Sequence, residues 1–174
     1  MPQASNTIDY LAGPIYATLY IDGELVDRNM KVDLPNWEYQ SVDIPAMGTM
    51  NVPLPGLYND AQIVFYPTNA TKKSAKLMAP GTHDYDLRFN QIEYEENTAN
   101  QKTVTHRYLG RGTPMAKHLG GTVERGTKPD RSVAWAIFNF NYYCAGELIT
   151  AIDRFSQQDE HLGVNYTQDY MMNL

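Results

Sequence analysis

Residues 132–144 alternate as a β-strand does, yet they carry large apolar side chains on both faces: Trp135 and Ile137 on one, Phe138, Phe140 and Tyr142 on the other. At about 3.3 Å per residue the stretch reaches roughly 43 Å, against ~17–20 Å for an ordinary strand. A strand apolar on both faces needs cover on both, which places it inside layered β structure. Asn139 and Asn141 interrupt the Trp135 face, where it meets water or a partner. Ala145-Gly146 then turns the chain into residues 147–154, which predicts one long antiparallel hairpin.

The rest of the chain reads as shorter strands around this one. Ile15, Ala17, Leu19 and Ile21 alternate with Tyr16, Thr18 and Tyr20, giving a first strand with one face in a core. Asp22-Gly23 is a hairpin turn into a second strand that ends near Leu34-Pro35. Residues 62–66 form another strand, and residues 70–79 read as a helix, capped by Asn69 or Thr71 and stopped at Pro80-Gly81. From Tyr85 the alternation resumes with Tyr85, Leu87 and Phe89. After Asn90 its phase flips to Ile92 and Tyr94, the mark of a bulge or of a strand that leaves one core for another surface. Residues 102–109 pair back. The expected fold is mainly β, an antiparallel sandwich or open barrel with one short helix.

Two segments exceed what a simple domain needs. Residues 35–57 contain Pro35, Pro45, Pro53 and Pro55, with Trp37, Tyr39, Met47 and Met50 among them. Proline confines strands to edges, while the large apolar residues want cover. Either an arm packing on another subunit or a loop folded back on its own core satisfies both. Residues 110–131 hold five glycines and no strong period, which reads as a long loop or mobile hairpin with a task of its own. The end, residues 155–174, is polar until Tyr170, Met171, Met172 and Leu174, an apolar terminus expected to dock on something.

Charge is segregated along the chain. Residues 1–100 carry thirteen acids and six bases, residues 101–131 two acids and seven bases, and residues 132–174 five acids and one base, for a net charge of −6. Segments of opposite sign attract copies of the same molecule, and a solvated basic loop is the simpler alternative. Arg107, Arg111, Lys117, Arg125, Lys128 and Arg131 are a basic set that phosphates would suit, but no aromatics interleave them for stacking on bases.

Chemistry is hard to find. His83, His106, His118 and His161 show no metal-ligand spacing, and the single Cys144 reads as a small buried hydrophobe. Neither a phosphate-cradling loop nor a nucleophile elbow occurs. Asp84 with Asp86, or Glu93 with Glu95 and Glu96, alternate on one strand as solvated acids do, not as a catalytic pair. No cofactor site, metal site or enzyme is expected. No basic stretch followed by an apolar core opens the chain and no run approaches a membrane span, so synthesis in the cytoplasm and no membrane partner are expected. Thirteen tyrosines also suit a β-sandwich module that stacks on carbohydrate.

Taken in order, several landmarks resemble the major tail tube proteins of contractile-tailed bacteriophages and of related phage-tail-like bacteriocins. They are the strand and turn at residues 17–23, Leu34-Pro35, the Pro- and Met-bearing arm ending at Gly56-Leu57, Arg111-Gly112, and the aromatic strand. Then follow Gly146, Glu147, Leu148, Ile152, Asp153, Gly163-Val164-Asn165 and Asn173-Leu174. The similarity runs from about Ile15 onward, dividing the chain into an extension, residues 1–14, and a single domain, residues 15–174. The resemblance implies hexameric rings stacked into the inner tube of a contractile tail, with strands of all subunits closing an inner β-barrel. It implies a virion protein whose partners are its own copies, the sheath, baseplate and tail terminator proteins, and double-stranded DNA that passes without specific binding. On that reading Trp37, Tyr39, Met47 and Met50 form an inter-subunit arm, and Arg111, Lys117, Arg125 and Lys128 an inter-ring loop. Asp84, Asp86, Glu93 and Glu95 are candidates for an acidic lumen that repels DNA. Tubes of type VI secretion systems share the architecture.

Overall fold

The computed structural model describes residues 10–28, 30–68, 72–96, 98, 100–127 and 130–167. Thirteen strands follow in order: β1 (Tyr10–Ile21), β2 (Glu24–Arg28), β3 (Lys31–Asp33), β4 (Tyr39–Pro45), β5 (Thr49–Tyr58), β6 (Gln62–Tyr66) and β7 (His83–Tyr94). Next come β8 (Gln101–Pro114), β9 (Gly120–Thr122), β10 (Asp130–Cys144), β11 (Glu147–Asp153), β12 (Gln158–His161) and β13 (Val164–Asn165). Every pairing is antiparallel, and β4 and β5 pair only with each other. The expected mainly-β, antiparallel architecture is present as an open barrel.

The aromatic strand organises it. Along one edge of β10, Trp135 to Cys144 pair with β8. Along the other, Val133 to Ala136 pair with β6 and Asn139 to Cys144 pair with β11. One strand therefore holds these three neighbours in a single branched sheet. From β10 the order runs β8-β7-β1-β2 on one side and β6-β3 on the other. Its two ends, β2 and β3, are joined by residues 29 and 30 alone, so the sheet must curl round to bring them together. The curl encloses Leu19, Ile21, Phe65, Tyr85, Leu87, Val133, Trp135 and Ile137, all essentially buried. Each such side chain contributes about 1.5–3 kcal/mol of burial free energy.

The expectation that β10 needs cover on both faces is corrected. Val133, Trp135 and Ile137 face the core, and then the buried residue is Phe140. The register against β8 slips between Ile137 and Asn139, so a bulge moves the core-facing set from odd to even positions. Gly110 makes the bulge possible. A Cβ there would collide with the Asn139 carbonyl oxygen, which instead accepts a hydrogen bond from the buried Tyr85 hydroxyl at 3.0 Å. By contrast, β7 flips phase with no slip against β8, whose register is unbroken from His83↔Gly112 to Tyr94↔Gln101. Beyond Asn90 both faces are half-buried, so β7 leaves the core there.

Other expectations shift as well. The helix over residues 70–79 is a single 3-10 turn, Ser74–Met78, and its expected caps lie outside the described residues. That turn lies across the core: Leu77 is buried and its carbonyl accepts from Trp135 Nε1 at 2.9 Å. The first strand starts at Tyr10, where it pairs with Tyr94. Gly110 and Gly112 lie within β8, which runs to Pro114, and residues 120–122 pair with Asp130, Arg131 and Ser132. The long loop is therefore shorter than expected. Cys144 is half-buried, not buried. Residues 158–165 form two short strands, and Tyr170, Met171, Met172 and Leu174 lie outside the described residues.

Candidate assembly surface

Residues 37–58 form a two-stranded arm with a root and a tip. Strands β4 and β5 form a two-stranded sheet, with β4 exposed throughout. Trp37 and Tyr39 belong to the root. The Trp37 ring lies 5.3 Å edge-on from Tyr58 and 5.8 Å from Phe140. Tyr39 stacks on Tyr58 at 5.0 Å and donates to the buried Asp159 carboxylate at 3.2 Å. Gly56 donates its backbone N–H to the same oxygen at 3.1 Å. Burial and the Asp159 bond raise the Tyr58 pKa above its ordinary value, so the phenol stays neutral. Met47 and Met50 belong to the tip, with Val42 and Ile44, and all four are exposed. Met47 has a positive φ of 42° and is fully exposed. An apolar tip of this kind, uncovered by its own chain, is unusual for a monomer.

The four expected loop bases are not together. Arg111 sits in β8 and donates to Asp84 at 2.9 Å. Lys117 and Arg125 are exposed in the segments flanking β9, and Lys128 lies outside the described residues. Met115 and Val123 are exposed in the same region, so the segment is apolar as well as basic.

Nor do the four acids line one wall. Strand alternation with unbroken register puts Asp84 and Asp86 on the outward face and Glu93 on the opposite one. Each is tied within the chain: Asp84 to Arg111, Asp86 to both Arg88 (2.6 Å) and Arg107 (2.9 Å), and Glu93 to Lys102 (2.9 Å). Glu95 accepts from the Thr98 hydroxyl at 2.8 Å. Burial alone would raise the Asp86 pKa, but the two guanidiniums outweigh it and hold it below the usual carboxylate range. The outward face of β7 and β8 is thus an ion-pair lattice rather than an acidic sheet.

Other polar groups serve structure. His83 bridges Asp22 (2.7 Å) and the Ala79 carbonyl (2.9 Å), joining the β1–β2 turn to the end of the 3-10 turn. His106 is buried between Phe89, stacked at 4.8 Å, and Tyr142, whose hydroxyl lies 2.6 Å from Nδ1. Four of the thirteen tyrosines stack on one another, Tyr108 on Tyr142 at 4.7 Å and Tyr39 on Tyr58 at 5.0 Å. Among the described residues no cluster of His, Cys, Asp and Glu has the arrangement of a metal site, and no helix is long and apolar enough to cross a membrane.

No curated protein matches the chain. The family model described as phage tail tube protein FII matches residues 15–174, nearly the whole chain and all strands from the middle of β1 onward. The chain therefore belongs to the phage tail tube protein FII family, structural components of the virion tail.

Proposed function

We propose that the protein assembles into hexameric rings that stack into the inner tube of a contractile tail, the conduit through which DNA leaves the virion. The arm carries this reading: β4 and β5 stand outside the barrel with Val42, Ile44, Met47 and Met50 exposed at their tip. A heterologous contact between such a tip and a different patch on the next copy closes into a ring when its rotation allows. The exposed Met115 and Val123, with Lys117 and Arg125 nearby, are placed between rings. The sheath, baseplate and tail terminator proteins are the further partners, and the subunit is made in the host cytoplasm. No catalytic step is assigned.

Asp84 and Asp86 keep the lumen assignment, being on the outward face; Glu93 projects the other way and, with Glu95, loses it. Both retained acids are paired with arginines, Asp84 with Arg111 and Asp86 with Arg88 and Arg107, so the wall they present is ion-paired and not an excess of acid. DNA meets no strong repulsion there, and the field of the ion-paired groups fades within about 8 Å at physiological salt.

The test is a pair of substitutions at the tip. Met47→Asp with Met50→Asp, both at exposed positions, should change unfolding free energy by no more than about 0.5 kcal/mol. Sedimentation velocity should show the wild-type chain as large assemblies and the variant as a folded monomer. Assemblies of unchanged size in the variant would remove the arm from the interface.

A further inference from the structure

Beside the arm root lies an open cleft of about 360 Å³. Its walls are aromatic, with Trp37, Tyr58, Tyr108, Phe140 and Tyr142 facing it and His161 at its exposed rim. Among the described residues, the Trp37 indole N–H is buried with no hydrogen-bond acceptor. Trp37 is held at the cleft with its ring as a wall, and what the cleft offers a partner is open aromatic space.

We infer that this cleft receives the arm tip of a neighbouring copy, with Met47 or Met50 between the aromatic walls. The inference rests on the arm as an assembly element and names its acceptor. Three observations support it. The donor is apolar and bare, and methionine is the side chain best suited to irregular aromatic pockets, through its flexibility and its sulfur–ring contacts. The tip cannot reach its own cleft: β4 is seven residues long, so at about 3.4 Å per residue it carries the tip roughly 20 Å from the root that borders the cleft. Finally, the arm is nearly uncharged, Asp43 being its one ionisable side chain between Tyr39 and Tyr58 apart from those tyrosines, so seating it does not bury a cluster of charges. Donor and acceptor are different patches on one surface, as a head-to-tail ring needs.

The experiment is disulfide trapping in the full chain. In a Cys144→Ser background, one protein carries Met47→Cys and a second carries His161→Cys; they are mixed, allowed to assemble, oxidised and run without reductant. Leu34→Cys, exposed and also at the cleft, is a second acceptor variant should His161→Cys disturb its hydrogen bond to Thr150. Arg88→Cys, on the outward face of β7, is the negative partner. The expected result is a heterodimer band from Met47→Cys with either cleft variant, at least tenfold stronger than with Arg88→Cys. Assembled particles that give no such band overturn the cleft while leaving the arm reading intact. A mixture that stays monomeric by sedimentation, with no band, overturns both.

Discussion

Gly110 shows how one missing methyl group decides the course of the central strand. The Asn139 carbonyl occupies the space a Cβ would fill, and the Tyr85 hydroxyl, 2.6 Å from that same Cβ position, caps it. Gly110→Ala should therefore cost about 3 kcal/mol, from overpacking and loss of the Tyr85 bond together, seen as a lower denaturant midpoint at unchanged m. His83 supplies a pH signature. Burial alone would lower its pKa, but the hydrogen bonds to Asp22 and the Ala79 carbonyl, with the Asp22 charge, raise it above the ordinary value of 6.5. A raised folded pKa means that the unfolded chain releases the proton first as pH rises. The His83 contribution is then complete below about pH 6.5 and is lost as pH climbs through the folded value. His83→Gln should lose most stability relative to wild type near pH 6 and progressively less above neutrality; urea unfolding across pH 6–9 checks it. His106 works in the opposite sense. Burial lowers its pKa, so its contribution stands above pH 6.5 and is lost as pH falls.

At the scale of elements, the arm is two structures in series. The root is part of the fold, since Trp37 and Tyr39 pack on Tyr58 and Phe140, whereas the tip touches little of its own chain. Trp37→Ala should cost about 2 kcal/mol, below the range for a fully buried tryptophan because the ring is only half covered. It should move the thermal midpoint of the isolated subunit, which tip substitutions leave in place. The sequence showed the arm through its prolines and methionines but not where root ends and tip begins, because that depends on Phe140 and Asp159, about a hundred residues away in the chain. Turn chemistry was legible: Asp22-Gly23 and Ala145-Gly146 both take positive φ, 50° and 81°, 50° and 85°, as two-residue hairpin turns demand. The bulge in β10 was not, because apolar residues at both parities read equally as a two-faced strand. Gly110 and Gly112 suggested flexibility, yet they are there so that β10 can approach β8 closely. The acids were found, but alternation alone could not show that β7 runs on without a slip, which is what divides Asp84 and Asp86 from Glu93.

The whole subunit is a barrel left open between β2 and β3, with a two-stranded arm beside it and an ion-paired charged face outside. In the proposed tube each of these has a use: edges to be covered, a tip to be seated, an ion-paired wall beside the DNA. A net charge of −6 on 174 residues keeps free subunits apart at low salt and less so as salt rises, because screening shortens the repulsion to about 3 Å at 1 M. Assembly should accordingly be favoured by protein concentration and by moderate salt. Negative-stain electron microscopy of the purified wild-type chain, across both variables, tests the account most directly. Rings or hollow tubes of one uniform diameter are the predicted result. Isolated particles of subunit size at every concentration and salt level, or solid aggregates with no lumen, would contradict it.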